Sequence, residues 1–175
     1  MATVEVIVGS KSDLDDVVGS RMFDVFEEVG VEVELSSASA HRDPELLREY
    51  CINQVAGDTK VFIGIAGMTP ALPGAIAASI QQVKSRPVIG VALSSKSWPA
   101  INTLPAVVAM PPGMPLAAPG IDKEGLKNAA ILACQIVATG DEGVSEHLQG
   151  YLAREARKKD PEFGINPDDY KEKPT

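Results

Sequence analysis

Three short runs rich in apolar and β-branched residues constrain this chain most strongly. They are Val4-Glu5-Val6-Ile7-Val8, Val61-Phe62-Ile63-Gly64-Ile65-Ala66 and Pro87-Val88-Ile89-Gly90-Val91-Ala92. The middle run is apolar throughout, the pattern of a strand covered on both faces, as strands of parallel sheets are. Longer segments with helical character lie between the runs. Asp13 to Val29 reads as a helix stopped by Gly30. Val31 to Leu35 reads as a further strand, and Pro44 to Val55 as a helix with proline in its first turn. A helix follows Thr69-Pro70 through about Val83, with Thr69 as its cap. Lys123 to Thr139 and Gly143 to Lys158 close the helical set.

Strand and helix alternate from the first residues. The expected fold is a single-domain three-layer αβα sandwich around a doubly wound parallel sheet, of the flavodoxin-like type, with an added C-terminal helix and tail. The domain spans 1–158, and the polar segment 159–175 is expected to be loose or docked on a neighbour. The Ser- and Pro-rich stretch from Leu93 to Pro119 is expected to hold a short helix near Ile101 to Val108 and a short strand near Pro115 to Ala118.

A length of 175 residues suits one domain with a proper core. The net charge of −8 argues against nucleic acid, which requires a basic face, but leaves room for an anionic small molecule in a local pocket. Cys51 and Cys134 lie in apolar helical segments with no Cys/His cluster around them, so no zinc site is expected and buried thiols in a reducing compartment are. No apolar run reaches the length of a membrane helix, and the chain opens directly into a strand rather than a signal peptide. A cytoplasmic protein without membrane contact is expected.

In a doubly wound sheet, ligands bind where the strands end and the following loops gather. The loop Ser36-Ser37-Ala38-Ser39-Ala40-His41-Arg42-Asp43 falls there. His41 offers an imidazole, the side chain suited to acid/base work, Arg42 a permanently charged anion binder, and Ser39 a hydroxyl. Together they suit acid/base chemistry on a phosphate-bearing substrate. Gly9-Ser10-Lys11-Ser12-Asp13 ends the first strand and opens the first helix. Its Ser and Asp residues serve equally as a helix cap or as an anion site. It is neither a dinucleotide fingerprint nor a Walker loop. The small residues of Gly64 to Gly74, Ala66 and Gly67 among them, allow close backbone approach to a ligand or close packing of helix on strand. His147 reads as a surface residue, and the connector Met110 to Pro115 offers a candidate cis proline.

These motifs, taken in order, resemble the PurE family of purine biosynthesis. Gly9-Ser10-Lys11-Ser12-Asp13 resembles its first phosphate loop, and Ser39-Ala40-His41-Arg42-Asp43-Pro44 its catalytic loop. Ala66-Gly67 with Leu72-Pro73-Gly74 resembles its third loop. Met110-Pro111 with Gly113 and Pro115, and Asn128-Ala129-Ala130, resemble its later turn and helix. The resemblance implies that Ser10, Asp13 and Arg42 bind the ribose 5-phosphate end of an aminoimidazole ribonucleotide. It implies that His41 is the general acid/base and that Ser39, Ala66, Gly67 and Leu72 belong to the substrate site. It further implies no cofactor or metal, CO2 as a reacting partner, and a homo-octamer.

The implied reaction is transfer of a carboxyl group from N5-carboxyaminoimidazole ribonucleotide to the ring carbon, the mutase reaction. The alternative within the family is direct carboxylation of aminoimidazole ribonucleotide with CO2. An alternative of another class is a nucleotide-binding sensor without turnover. Two departures bear on the subclass: Pro70-Ala71 stands where the mutase branch has Ala-His, and Asn102 to Ala106 departs from the family's Asp-Ser-Leu-x-Ser. The apolar third strand, Ala75 to Val83 and Ala129 to Val137 are expected to leave surface for other subunits.

Overall fold

The computed structural model describes residues 3–157. Four parallel strands, β1 (Val4–Val8), β2 (Val33–Ser37), β3 (Val61–Gly67) and β4 (Val88–Leu93), form one sheet in the order β2-β1-β3-β4. Eight α-helices accompany them: α1 (Leu14–Val18), α2 (Met22–Val29), α3 (Pro44–Gly57), α4 (Leu72–Ile80), α5 (Ala100–Thr103), α6 (Pro105–Val108), α7 (Asp122–Ala138) and α8 (Glu142–Arg157). Alternation along the strands sorts the core into two layers. Val4, Val6 and Val8 pack with Ile63, Ile65 and Val91 under α2, α7 and α8. Ile7, Phe62 and Ala66 face the other way, under α3 and α4, against Leu47, Cys51, Val55, Leu72 and Ile76. This is the expected doubly wound αβα sandwich.

Two glycines set the depth of the second layer. A Cβ on Gly64 would stand 3.0 Å from Pro73 Cα, and one on Gly90 would stand 2.4 Å from Val107 Cγ1. Pro73 and Val107 therefore sit directly on the sheet, and close packing accounts for Gly64.

Several boundaries differ from expectation for local reasons. The helix expected over Asp13 to Val29 is a 3-10 turn at Lys11–Asp13 followed by α1 and α2. The break is made by buried Ser20, whose hydroxyl donates to Val17 O at 2.6 Å and accepts from Met22 N at 3.3 Å, and by Arg21 at φ 64°. Gly30 does end α2 in the left-handed region, at φ 79°. The Val31 amide then donates back to Phe26 O at 3.0 Å, so β2 starts at Val33, two residues late. α4 starts at Leu72 with Ala71 before it, and Thr69 does not cap it. The expected helix at Ile101 to Val108 splits into α5 and α6 at Pro105, which lacks the amide needed to continue. The strand expected near Pro115 is reduced to single parallel bridges, Ala117 to Ile89 and Ile121 to Ala92. Every peptide bond among the described residues is trans, so the connector holds no cis proline. The third strand is buried within the single chain and offers nothing to a neighbour, contrary to expectation. Exposed apolar side chains include Val83, at the end of the expected Ala75 to Val83 segment, and Met68, Trp98, Ile101 and Val108. The expected tail, 159–175, lies outside the described residues.

One polar group sits in the middle of the second layer. Glu5, in β1, is fully buried, with Oε1 accepting from Tyr50 Oη at 2.8 Å and Oε2 without a partner. The Tyr50 hydroxyl is also bonded to Ser36 Oγ, linking α3 to β1 and β2. Burial pushes the Glu5 carboxyl up from 4.5 to about 7, against the lowering effect of the Tyr50 and Ser36 bonds, and Glu34 adds to the rise. Between those two values the folded chain holds a proton that the unfolded chain has released. Stability therefore falls as pH rises from about 4.5 to about 7, by on the order of 3 kcal/mol at 1.36 kcal/mol per pH unit. Glu5→Gln is expected to abolish this slope and to be at least as stable as the parent above pH 7. Urea unfolding at a series of pH values checks this, and an unchanged slope would refute it.

Candidate functional site

Because all four strands run the same way, the loops that follow them meet at one edge. They enclose a cavity of about 410 Å³ lined by Gly9, Ser10, Ser12, Asp13, Ser39, Ala40, His41, Arg42, Ala66, Gly67, Met68, Thr69, Leu72 and Ser95. Each residue that the sequence nominates for the site, His41, Ser10, Asp13, Ser39, Arg42, Ala66, Gly67 and Leu72, lies in this wall.

The floor comes from the ends of β1 and β3. Gly9 N donates to Ile65 O at 2.8 Å, which holds the first loop against β3. A Cβ on Gly9 would stand 3.2 Å from Ala66 Cβ, and one on Gly67 would stand 3.3 Å from Leu93 O. Larger side chains there would fill the cavity or part the strands, so the floor is bare backbone. The small residues thus divide between two jobs: Gly64 and Gly90 admit the helices, whereas Gly9, Ala66 and Gly67 keep the floor open.

The first wall is the 3-10 turn after β1. The Ser10 side chain caps it, accepting from Ser12 N at 3.3 Å, and pairs with Ser12 Oγ at 2.8 Å. Ser12 Oγ donates to Asp13 Oδ1 at 3.1 Å. The turn thus presents two linked hydroxyls and one carboxylate. The second wall follows β2, tied to the sheet by Ala38 N donating to Val8 O at 3.0 Å. At its far end Asp43 caps α3, accepting from Leu46 N at 3.0 Å, with Pro44 in the first turn. His41 and Arg42 are held between these two anchors. Both are exposed, and among the described residues neither has a hydrogen-bond or ion-pair partner. An Arg and a His left without partners beside linked hydroxyls have the hydrogen-bonding chemistry to receive an anionic group.

Asp13 supplies the carboxylate and His41 the imidazole of the lining. Pro70 and Ala71 contribute no titratable group beside them. Sequence reasoning did not nominate Ala40, Met68 or Ser95. Met68 sits at φ 54°, a conformation no sequence pattern signals, and Ser95 reaches the cavity only through the turn after β4. His147 is exposed, as expected, with Nδ1 3.3 Å from Val29 O. Cys51 and Cys134 are buried and free, and burial pushes both thiols up to about 12, so neither serves as a nucleophile.

A larger cavity, of about 620 Å³, opens at the opposite edge of the sheet and contains Thr3, Lys60 and Arg86. Its cations are already engaged: Lys60 with Asp58 at 2.6 Å, and Arg86 Nε with Thr59 O at 3.0 Å. The smaller cavity, with its unpartnered cation and imidazole, is the stronger candidate. Among the described residues no group of three or more His, Cys, Asp or Glu side chains is placed to hold a metal ion, and no helix is long and apolar enough to cross a membrane.

Comparison with known proteins agrees with this fold. The chain is 42% identical to the N5-carboxyaminoimidazole ribonucleotide mutase of Methanocaldococcus jannaschii over 154 residues, covering 88% of this chain and 89% of that protein. It is 36% identical to the mutase of Vibrio vulnificus over 153 residues, 87% of this chain and 91% of that one. Among solved structures, PurE of Treponema denticola superposes with a TM-score of 0.75 at 26% identity, over 89% of this chain and 92% of that one. The profile of the AIR carboxylase family matches residues 3–158, and with that span and these relatives the chain belongs to the AIR carboxylase family.

Proposed function

We propose that this protein is an enzyme of purine biosynthesis that converts N5-carboxyaminoimidazole ribonucleotide to the 4-carboxy isomer. The observation that carries this reading is the pairing of unpartnered His41 and Arg42 across a small-residue floor from the Ser10–Ser12 turn. The 5-phosphate sits against Ser10, Ser12 and Arg42. The imidazole ring lies over Gly9, Ala66 and Gly67, where only backbone and a methyl group limit its approach. Relatives 42% and 36% identical over most of the chain carry the mutase name.

The chemistry then follows from one proton carrier. Protonated His41 gives its proton to the carbamate nitrogen as the N–C bond breaks and CO2 leaves. The CO2 stays in the cavity, and ring carbon C4 attacks it. Neutral His41 removes the proton from C4 and aromaticity returns, so the imidazole ends as it began and no net proton is consumed. The close floor retains CO2 between the two steps. Two buried free thiols suit a cytoplasmic setting.

Purified protein supplied in parallel with the N-carboxylated nucleotide, and with the uncarboxylated nucleotide plus bicarbonate, is expected to turn over the first far faster. The reverse preference would assign direct carboxylation instead. His41→Asn is expected to fold and bind nucleotide but lose about 10²-fold or more in kcat. Near-normal kcat would remove His41 from the mechanism.

Arg42→Ala is expected to raise KM by about tenfold or more, the loss of one charge-assisted hydrogen bond to phosphate. Binding of the dephosphorylated nucleoside should be insensitive to the same change. Equal wild-type affinity for nucleotide and nucleoside would contradict the assignment.

We also infer self-association into a closed oligomer, an octamer by family resemblance. Trp98, Ile101 and Val108 are each more than half exposed and lie on the turn after β4 and on α5 and α6, and Trp98 lines one shallow cavity with Met68. Exposed apolar side chains so grouped favour burial against another copy. Light scattering at micromolar concentration is expected to give a multiple of the chain mass, and a fully active monomer would refute it.

A further inference from the structure

The turn after β4 is held by an arrangement that packing does not require. Ile121 makes a single parallel bridge with Ala92, and the next residue, Asp122, begins α7 at φ 51°. A non-glycine residue is disfavoured in this region and remains there only when its surroundings hold it. Here Gly120 and Gly125 lie so close that a Cβ on Gly125 would stand 2.5 Å from Gly120 C. The left-handed step brings the Asp122 carboxylate to the end of β4. Oδ1 accepts from Ser94 N at 2.6 Å, and Oδ2 accepts from Ser94 Oγ at 2.9 Å. Ser94 Oγ in turn accepts from Ala100 N at 3.0 Å, the first amide of α5. One carboxylate therefore clasps both ends of the segment from Ser94 to Ala100.

Within the clasp, the segment folds on itself. Ser95 N donates to Trp98 O at 2.8 Å, and Trp98 N donates to Ser95 Oγ at 3.2 Å. Ser95 lines the cavity next to Gly67, and Asp122 does not reach it. We infer that Asp122 is a positioning residue, which fixes the turn so that Ser95 forms part of the substrate wall. Substrate binding is thereby coupled to the start of α7. This rests on the reading of the cavity as a nucleotide site; the state of the turn itself does not.

Trp98 is the only tryptophan of the chain, so its fluorescence reports on this turn and on any copy that covers it, and parent and variants are compared at equal oligomeric mass. Asp122→Ala is expected to increase acrylamide quenching of Trp98 in the protein without ligand. Asp122→Asn keeps an acceptor for Ser94 N and tolerates the left-handed conformation, so it should largely restore the parent value. With the N-carboxylated nucleotide, Asp122→Ala should raise KM about five- to tenfold and alter kcat less than about threefold. Ser95→Ala should raise KM by a similar factor, and the double variant should be no worse than the poorer single one. Unchanged Trp98 quenching in Asp122→Ala would overturn the clasp even if the protein turned over no nucleotide. Altered quenching with unchanged KM, or multiplicative effects in the double variant, would overturn the positioning role. If Asp122→Ala does not fold, Ser94→Ala, which removes the Oγ links alone, is measured against the same outcomes.

Discussion

The parallel pairing of β1 with both of its neighbours is the constraint on which the site depends. β1 runs between β2 and β3 in register from Val4 opposite Val33 and Val61 to Val8 opposite Ser37 and Ile65. Its carboxyl end therefore meets the ends of both neighbours at one level. The hydrogen bonds from Gly9 to Ile65 and from Ala38 to Val8 continue the ladder by one step, into the loops themselves. Three loops that are distant in sequence are thus placed within one cavity before any side chain contributes. Switching a crossover to antiparallel would scatter His41, Ser10 and Gly67 to different edges.

The same pairing creates the most unusual feature of the core. The carboxyl group of Glu5, near the start of β1, is fully buried, and its partners come from the strand and helix that flank the His41 loop. Tyr50 joins Glu5 to Ser36 near the carboxyl half of the second strand. Asp43, at the start of the same helix, closes the loop that bears His41 and Arg42. The buried polar chain and the helix cap hold one structural unit at two points, so the position of the exposed imidazole is determined by atoms well below it. An exposed loop anchored at both ends in this way retains its place without a direct bond to either functional side chain.

Much of this was legible in the sequence because the signals are local. Apolar runs bounded by Gly and Pro give β1, β3 and β4 to within a residue or so, and Asp43-Pro44 marks the start of α3 through capping chemistry alone. The loops between those elements carry the site, so His41 and Arg42 could be nominated from position, whereas the roles of Ser10, Asp13 and Gly67 came from the family resemblance. What escaped was set by tertiary contacts. The break at Arg21 depends on the Ser20 hydroxyl choosing Val17 O, and the late start of β2 depends on the Val31 amide being used by the preceding helix. The Thr69 cap failed because α4 is seated by Pro73 on Gly64 and Gly90, and not by its own first turn. Ser95 lines the cavity from a turn whose preceding residue, Ser94, is bonded to Asp122, a link that no local pattern carries.

The central claim is that the loops after β1, β2 and β3 form one phosphoribosyl-nucleotide site with His41 as its proton carrier. A crystal structure of the His41→Asn protein with N5-carboxyaminoimidazole ribonucleotide bound tests it most directly, since blocked turnover preserves the substrate. The 5-phosphate should contact Ser10, Ser12 and Arg42, with the imidazole ring over Gly9 and Gly67 and its C4 and N5 side turned to residue 41. A nucleotide seated in the cavity at the opposite edge by Lys60 and Arg86, or reversed with its phosphate away from Arg42, would contradict it.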